Sequence, residues 1–73
     1  GQHDQAAEQF REILVAKPDH VPTLFNIGNT LLKAGHPAEA AGYLAAGLDL
    51  QPDPRARALL AEARRRAGMR SPP

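Results

Sequence analysis

Three histidines are the side chains in this sequence best suited to bind a metal ion: His3, His20 and His36. The apolar spacing predicts helices over 4–16 and 22–34, and a helix of that length spans about 20 Å at a rise of about 1.5 Å per residue. His20 lies at the opposite end of these predicted helices from the other two histidines. Because zinc ligands must come within about 2.1 Å of one ion, the sequence predicts no metal site.

Carboxylates and hydroxyls are the remaining groups that could carry out catalysis. Asp4, Glu8 and Glu12 recur at every fourth residue, which places them on one helix face with no histidine or opposing carboxylate to shift a pKa. There is no cysteine, and the only serine, Ser71, stands in a terminal Ser-Pro-Pro. No glycine-rich phosphate loop or nucleophile–base pair is present. We therefore predict a non-enzymatic protein with no catalytic residue and no cofactor.

Arginines concentrate in the C-terminal quarter of the chain. Residues 55–73 hold six arginines against one acid, whereas residues 1–54 hold seven acids against three basic residues. Such a cluster could bind nucleic acid, anionic lipid or an acidic protein surface. Nucleic-acid binding normally adds aromatic stacking, and this stretch has no aromatic residue. We interpret the arginines as a solvated helix face and expect no nucleic-acid binding.

The elements that position these residues are helices. The chain has 73 residues, enough for one small core, and no apolar run approaches the roughly 20 residues that a membrane span needs. No segment alternates with period two, so the predicted fold class is all-α, with helices over 4–16, 22–34, 37–50 and 54–67. Proline in the first turn and glycine after the last turn mark helix ends: Pro22, Pro37, Pro54 and Gly35. The predicted apolar stripes are Ala6, Phe10, Ile13 and Leu14; Leu24, Ile27 and Leu31; Ala40, Leu44 and Leu48; and Leu59, Leu60, Ala63 and Ala67.

These helices recur with a period of 34 residues. A shift of that length aligns Ala6 with Ala40, Phe10 with Leu44, Leu14 with Leu48, and Pro18-Asp19 with Pro52-Asp53. Such a period is typical of arrays in which each helical unit buries its apolar face against the next unit. Two helices joined by a short turn approach closely only where small residues face each other, and we expect Gly28 and Ala40 to make this contact.

Residues 21–54 resemble one tetratricopeptide repeat, a helix–turn–helix with the pattern W-x2-L-G-x2-Y, then A-x3-F, then P. The matching residues are Leu24, Ile27, Gly28, Leu31, Ala40, Leu44 and Pro52. Half of a preceding repeat is present as Ala6, Phe10 and Pro18. Leucine stands where the pattern has tryptophan and tyrosine, and Gly47 stands where repeats usually carry alanine. The resemblance implies antiparallel helix-turn-helix repeats stacked as an α-solenoid.

In this family the first helix of each repeat lines a groove in which ligand peptides usually lie. The resemblance therefore implies a peptide-binding groove, to which we assign Phe25, Asn26, Asn29, Leu32, Lys33, Leu59, Ala63 and Arg66. An exposed phenylalanine and leucine would supply apolar area, and the asparagine between them would hydrogen-bond a peptide backbone. The alternative is that Phe25 and Leu32 simply pack on the last helix.

Asn26 and Asn29 also invite comparison with the carboxylate clamp of co-chaperones, which holds acidic C-termini of heat-shock chaperones. That clamp takes lysine and arginine from a neighbouring repeat, where this sequence has Ala56 and Leu60. We therefore expect no clamp of that kind.

Both ends of the chain depart from a complete repeat. Residues 1–20 are interpreted as the second helix of a truncated repeat, so part of its apolar stripe should face solvent. We expect this face to be covered by self-association of the fragment or by upstream repeats in the intact protein. Residues 55–68 lack the large apolar residues of the pattern and are interpreted as a capping helix. Residues 69–73 are expected to form a disordered tail.

The sequence thus favours a non-enzymatic protein-interaction module that binds a peptide or protein partner in the groove of a repeat array. The alternative is a repeat appendage of a larger enzyme, glycosyltransferase-like or sulfatase-like, that serves substrate selection or oligomerisation. The sequence upstream of Gly1 would separate the two hypotheses.

Overall fold

The computed structural model of the chain describes residues 1–68. It contains four α-helices: α1 (Gln2–Ala16), α2 (Val21–Lys33), α3 (Pro37–Leu50) and α4 (Pro54–Arg66). The all-α fold class is confirmed, and each helix begins and ends close to its predicted position. The tail expected over 69–73 lies outside the described residues. Within the described part, no helix combines the length and apolar character needed to cross a lipid bilayer.

Prolines and one aspartate set the helix starts. Pro22, Pro37 and Pro54 occupy the first two positions of α2, α3 and α4, where a backbone N–H has no intrahelical partner to lose. The Ala56 N–H donates a hydrogen bond of 2.9 Å to Oδ1 of Asp53, which caps α4.

Helix α2 ends in a glycine turn that directs the chain back into α3. Gly35 has a φ of +86°, a conformation that side chains other than glycine's rarely adopt. The His36 N–H donates to the Leu31 carbonyl at 2.8 Å, and the Gly35 N–H donates to the Leu32 carbonyl at 3.2 Å. These bonds satisfy two of the last carbonyls of α2 in a Schellman motif.

Each helix packs against the next along the chain, and α2 also contacts α4. Helices α2 and α4, which contact each other, form one layer. Helices α1 and α3, which are joined by the Arg11–Glu39 ion pair, form the other layer. The core between the layers consists of buried apolar side chains: Ala7, Leu24, Ile27, Leu31, Leu32, Ala40, Ala41, Leu44, Ala56, Leu60 and Ala63. This stack of helical hairpins is the predicted solenoid architecture.

The close approach of α2 and α3 depends on Gly28. A Cβ at Gly28 would lie 2.5 Å from Cγ of Leu44, and the three nearest heavy atoms all belong to the fully buried Leu44 side chain. Ala40 is also fully buried in the same core. Contact between Gly28 and Ala40 stays a prediction.

The predicted stripe of α1 is rotated slightly from the side that is buried. Ala7 is fully buried, whereas Ala6, Phe10 and Leu14 are half-buried. Ile13, which was predicted to lie in the stripe, is 41 % exposed. The interpretations of residues 1–20 as half of a repeat and of residues 55–68 as a cap stay predictions.

Candidate functional site

A groove lies between α2 and α4, the two helices to which the sequence assigned ligand binding. Its volume is about 810 Å³, which is within the range of ligand pockets. Five of the eight predicted groove residues line it: Phe25, Asn26, Asn29, Lys33 and Leu59. The other lining residues are Val21, Pro22, Gln51, Asp53, Arg55, Ala56, Ala58 and Glu62. That these residues bind a ligand stays a prediction.

Phe25 and Leu59 supply the largest apolar side chains of this α2–α4 groove. Both are half-buried and pack against the core. The ring of Phe25 also lies on α3, since a Cβ at Gly47 would come within 2.8 Å of the ring's Cδ1. Gly47 therefore leaves room for the ring where an alanine would not, and α3 holds the ring in place beside the groove.

Two predicted groove residues are core residues instead. Leu32 is 3 % exposed and Ala63 is 0 % exposed. Both belong to the buried cluster that also contains Leu60. The assignment of Leu32 and Ala63 to the groove is wrong, because the packing of α4 on α2 removes both side chains from solvent.

A different arginine of α4 from the predicted one lines the groove. Arg66 lies outside the lining, and its Nη2 is 3.4 Å from Oε2 of Glu62. Arg55 lines the groove instead. A signal for Arg55 was present in the sequence, since it precedes Leu59 by four residues and so shares its helix face. The prediction extended the groove from Leu59 only towards the C-terminus, to Ala63 and Arg66, and so missed Arg55.

Three amide side chains of the groove form no hydrogen bond to the described part of the chain. Asn26, Asn29 and Gln51 make no side-chain hydrogen bond within residues 1–68. Each primary amide carries two N–H donors and one carbonyl oxygen acceptor. The α2–α4 groove thus presents unused donors and acceptors next to an apolar surface.

A second groove lies in the other layer, between α1 and α3. Its volume is about 520 Å³, and it is lined by Leu14, Pro18, Leu24, Glu39, Gly42, Tyr43 and Ala46. The charged residue in this lining, Glu39, is already paired, with its Oε2 at 2.9 Å from Nη2 of Arg11. The sequence assigned no role to this α1–α3 groove.

Side-chain bonds tie α1 to the hairpin that follows it. His36 Nε2 lies 3.2 Å from Oδ1 of Asp4, and Arg11 donates to Glu8 of its own helix as well as to Glu39 of α3. The hydrogen bond with His36 holds the pKa of the Asp4 carboxyl below its ordinary value. The predicted acidic face of α1 is therefore used in part for structural pairing.

Two of the three histidines, His20 and His36, have hydrogen-bond partners of a structural kind. His20 Nδ1 lies 2.7 Å from the hydroxyl of Thr23, which is buried. Among the described residues, no three His, Cys, Asp or Glu side chains lie close enough together to hold a metal ion. Neither observation gives the site a chemical role beyond binding.

Apolar side chains are exposed on α1. Val15 is 87 % exposed and Ile13 is 41 % exposed, whereas the Phe10 and Leu14 side chains pack against the core. Because Ile13 and Val15 are two residues apart, they point to nearly opposite sides of α1 and do not form one patch. Self-association through α1 stays a prediction.

Most of the chain matches a known protein family. A family model of the tetratricopeptide repeat matches residues 1–63, which include all of α1, α2 and α3 and most of α4. No curated protein and no solved structure matches the chain.

Proposed function

The chain belongs to the tetratricopeptide repeat family, whose repeats generally mediate protein–protein interaction, and from this premise we propose that it binds a peptide segment of a partner protein in the α2–α4 groove. An apolar side chain of the peptide is buried against Phe25 and Leu59. Asn26, Asn29 and Lys33 set its orientation. No residue of the chain takes part in a reaction in this proposal.

The observation that carries the proposal is the set of free amides beside an apolar surface. A peptide backbone that leaves water must regain hydrogen bonds for its N–H and C=O groups. Asn26, Asn29 and Gln51 offer both donors and acceptors, and none is engaged within residues 1–68. An entirely apolar groove would not meet this requirement.

The energies involved favour modest affinity. Burying one large apolar side chain contributes about 1.5–3 kcal/mol, and each hydrogen bond contributes about 0.5–1.5 kcal/mol net. Ordering a short peptide and losing its free motion opposes these gains by several kcal/mol. Binding of a single segment is therefore expected to be weak and readily reversible.

The test uses peptides selected from a random decapeptide phage library against the immobilised chain. Their affinities are then measured by fluorescence polarisation for the wild-type chain and for the double variant Phe25→Ala/Leu59→Ala. We expect the double variant to lose affinity by at least about tenfold, since it removes most of the apolar surface of the groove. The matched control is Tyr43→Ala, which truncates the aromatic residue of the α1–α3 groove.

Circular dichroism must first establish that each variant keeps its helices. If Tyr43→Ala weakens binding as much as the double variant does, the α2–α4 groove is not the binding site. If no selected peptide depends on Phe25 and Leu59, the proposal is wrong.

A further inference from the structure

We infer that the ligand of the α2–α4 groove is an acidic peptide, an extended segment with a carboxylate on each side of an apolar residue. This inference rests on the proposed function and adds the chemical class of the partner. It comes from the pairing of the charged side chains around the groove.

By composition the groove is neutral. Its charged lining residues are two acids, Asp53 and Glu62, and two bases, Lys33 and Arg55. The sequence alone therefore gives no reason to prefer an acidic or a basic ligand.

Both acids are already engaged. Oδ1 of Asp53 accepts the Ala56 N–H at 2.9 Å, so this carboxylate caps α4. Oε2 of Glu62 lies 3.4 Å from Nη2 of Arg66, which stands outside the groove. Of the two acids, only Glu62 has a cationic partner, whereas Asp53 keeps its negative charge at the N-terminus of α4.

Neither base is engaged in this way. Within residues 1–68, no carboxylate oxygen lies within 4.0 Å of the charged groups of Lys33 or Arg55. Lys33 stands in the last turn of α2, where the helix dipole favours a cation, but the dipole is equivalent to only about half a charge. Within residues 1–68, two bases without an ion-pair partner, Lys33 and Arg55, therefore face one such acid, Asp53, and the groove carries a small net positive charge in spite of its neutral composition.

The direction of the helices strengthens this charge at one end. Because α2 and α4 run parallel, their N-termini lie together at the end of the groove lined by Pro22 and Arg55. Helix N-termini carry a partial positive charge. The Asp53 carboxylate already caps α4, whereas α2 has no side-chain cap. An anionic group at this end would therefore be stabilised by Arg55 and by the N-terminus of α2.

The spacing of the two bases defines the length of the ligand segment. Lys33 follows Pro22 by eleven positions, which corresponds to about 16 Å along α2. An extended peptide covers that distance in about five residues. The two carboxylates should therefore be about five residues apart, with the apolar residue between them over Phe25 and Leu59.

The same library selection tests this inference, with the selected peptides sequenced. We expect enrichment of Asp or Glu at two positions about five residues apart, flanking a large apolar residue. Affinity is then measured for the chain and for Lys33→Glu and Arg55→Glu, each expected to weaken binding about tenfold. Arg57→Glu is the matched control, because it makes the same charge change on an exposed part of α4 outside the groove and is expected to change affinity less than about threefold.

The most decisive measurement exchanges the charges of the peptide and of the protein. A peptide in which the acid nearest Lys33 is replaced by lysine should bind poorly to the wild-type chain and regain affinity for Lys33→Glu. A loss of folding cannot produce this gain, so the arm separates recognition from stability.

The outcomes distinguish this inference from the proposed function. Neutral or basic selected peptides that depend on Phe25 and Leu59 would overturn the acidic ligand and leave the groove as the binding site. The absence of any peptide that depends on Phe25 and Leu59 would overturn both. Preferential binding of a single-stranded oligonucleotide probe, lost in Lys33→Glu and Arg55→Glu, would also overturn the acidic peptide.

Discussion

The α2–α4 groove and the α1–α3 groove lie in opposite layers of the same stack, and they differ in how their polar groups are used. In the α1–α3 layer, His36 bonds Asp4, and Arg11 bonds Glu8 and Glu39. In the α2–α4 layer, amides and cations line the groove without partners among the described residues. Each groove has one aromatic side chain, so aromatic content does not distinguish them.

Charge and amide content alone therefore do not distinguish the two grooves. The α1–α3 layer uses its charges to connect one helical unit to the next. The α2–α4 layer has amides and cations without such partners within residues 1–68, and for this reason we propose that a peptide binds there.

Gly28→Ala is expected to have the largest effect on stability, because Gly28 of α2 packs against Leu44 of α3 and so lies between the two layers. The new Cβ would lie 2.5 Å from Cγ of the buried Leu44. The free-energy cost of this overpacking exceeds the free energy gained from the higher helix propensity of alanine. We expect a net loss of about 1–2 kcal/mol in the free energy of unfolding. Urea titration followed by far-UV circular dichroism measures it, and an unchanged midpoint would contradict the proposed contact.

Gly47→Ala should affect the α2–α4 groove selectively. Its Cβ would displace the ring of Phe25, but the ring is only half-buried and can tilt. We expect a loss of about 1 kcal/mol in stability together with weaker binding of selected peptides. If affinity stayed at the wild-type level while stability fell, the position of the Phe25 ring would be irrelevant to binding.

Gly42→Ala is the corresponding substitution in the α1–α3 groove, and it should stabilise the protein rather than destabilise it. No atom lies within 4 Å of the Cβ position, and the residue is exposed within α3. We expect a gain of about 0.5–1 kcal/mol in the free energy of unfolding, because alanine favours the helix over glycine. The same urea titration measures this gain, and affinity for the selected peptides should not change. A destabilised Gly42→Ala variant would mean that the α1–α3 groove is more closed than described.

The smallest effect is expected for the pair of Asp4 and His36, which connects α1 to the turn between α2 and α3. The pKa of Asp4 should lie below its ordinary value of 3.8, and His36→Ala should raise it towards that value. Because the folded pKa is lowered, the contribution of Asp4 to stability is present above pH 3.8 and is lost as the pH falls through the folded pKa. Carboxyl-carbon NMR during a pH titration measures both pKa values. Equal values in the two proteins would mean that the pair does not persist in solution.

The four helices could be predicted because their signals are local. Proline in the first turn, Gly35 after α2 and the Asp53 cap act on neighbouring backbone groups, so their effect can be read from adjacent residues. The two-layer stacking also followed from the period of 34 residues. The period did not single out Leu44 as the side chain nearest to Gly28, since Ala40 and Leu44 lie one turn apart on the same face of α3.

The groove was predicted only in part for a similar reason. Phe25 and Leu32 are seven residues apart and so point in nearly the same direction from α2, yet Phe25 is half-buried and Leu32 is fully buried. Their difference depends on how the other helices pack around α2, which no pattern within α2 encodes. The release of Lys33 and Arg55 from ion pairs likewise depends on where Asp53 and Glu62 find their own partners.

The packing of each helix mainly on its immediate successor has a consequence for how the molecule acquires its shape. Contacts that join neighbours in sequence require little loop closure, so folding should be fast, in the microsecond to millisecond range of helical proteins. Helices α2 and α3 each pack extensively against two other helices, whereas α1 packs mainly on α2, and α4 packs mainly on α3 with a small contact to α2. Amide protons of the central hairpin should therefore exchange with deuterium more slowly than those of the two outer helices, which open first.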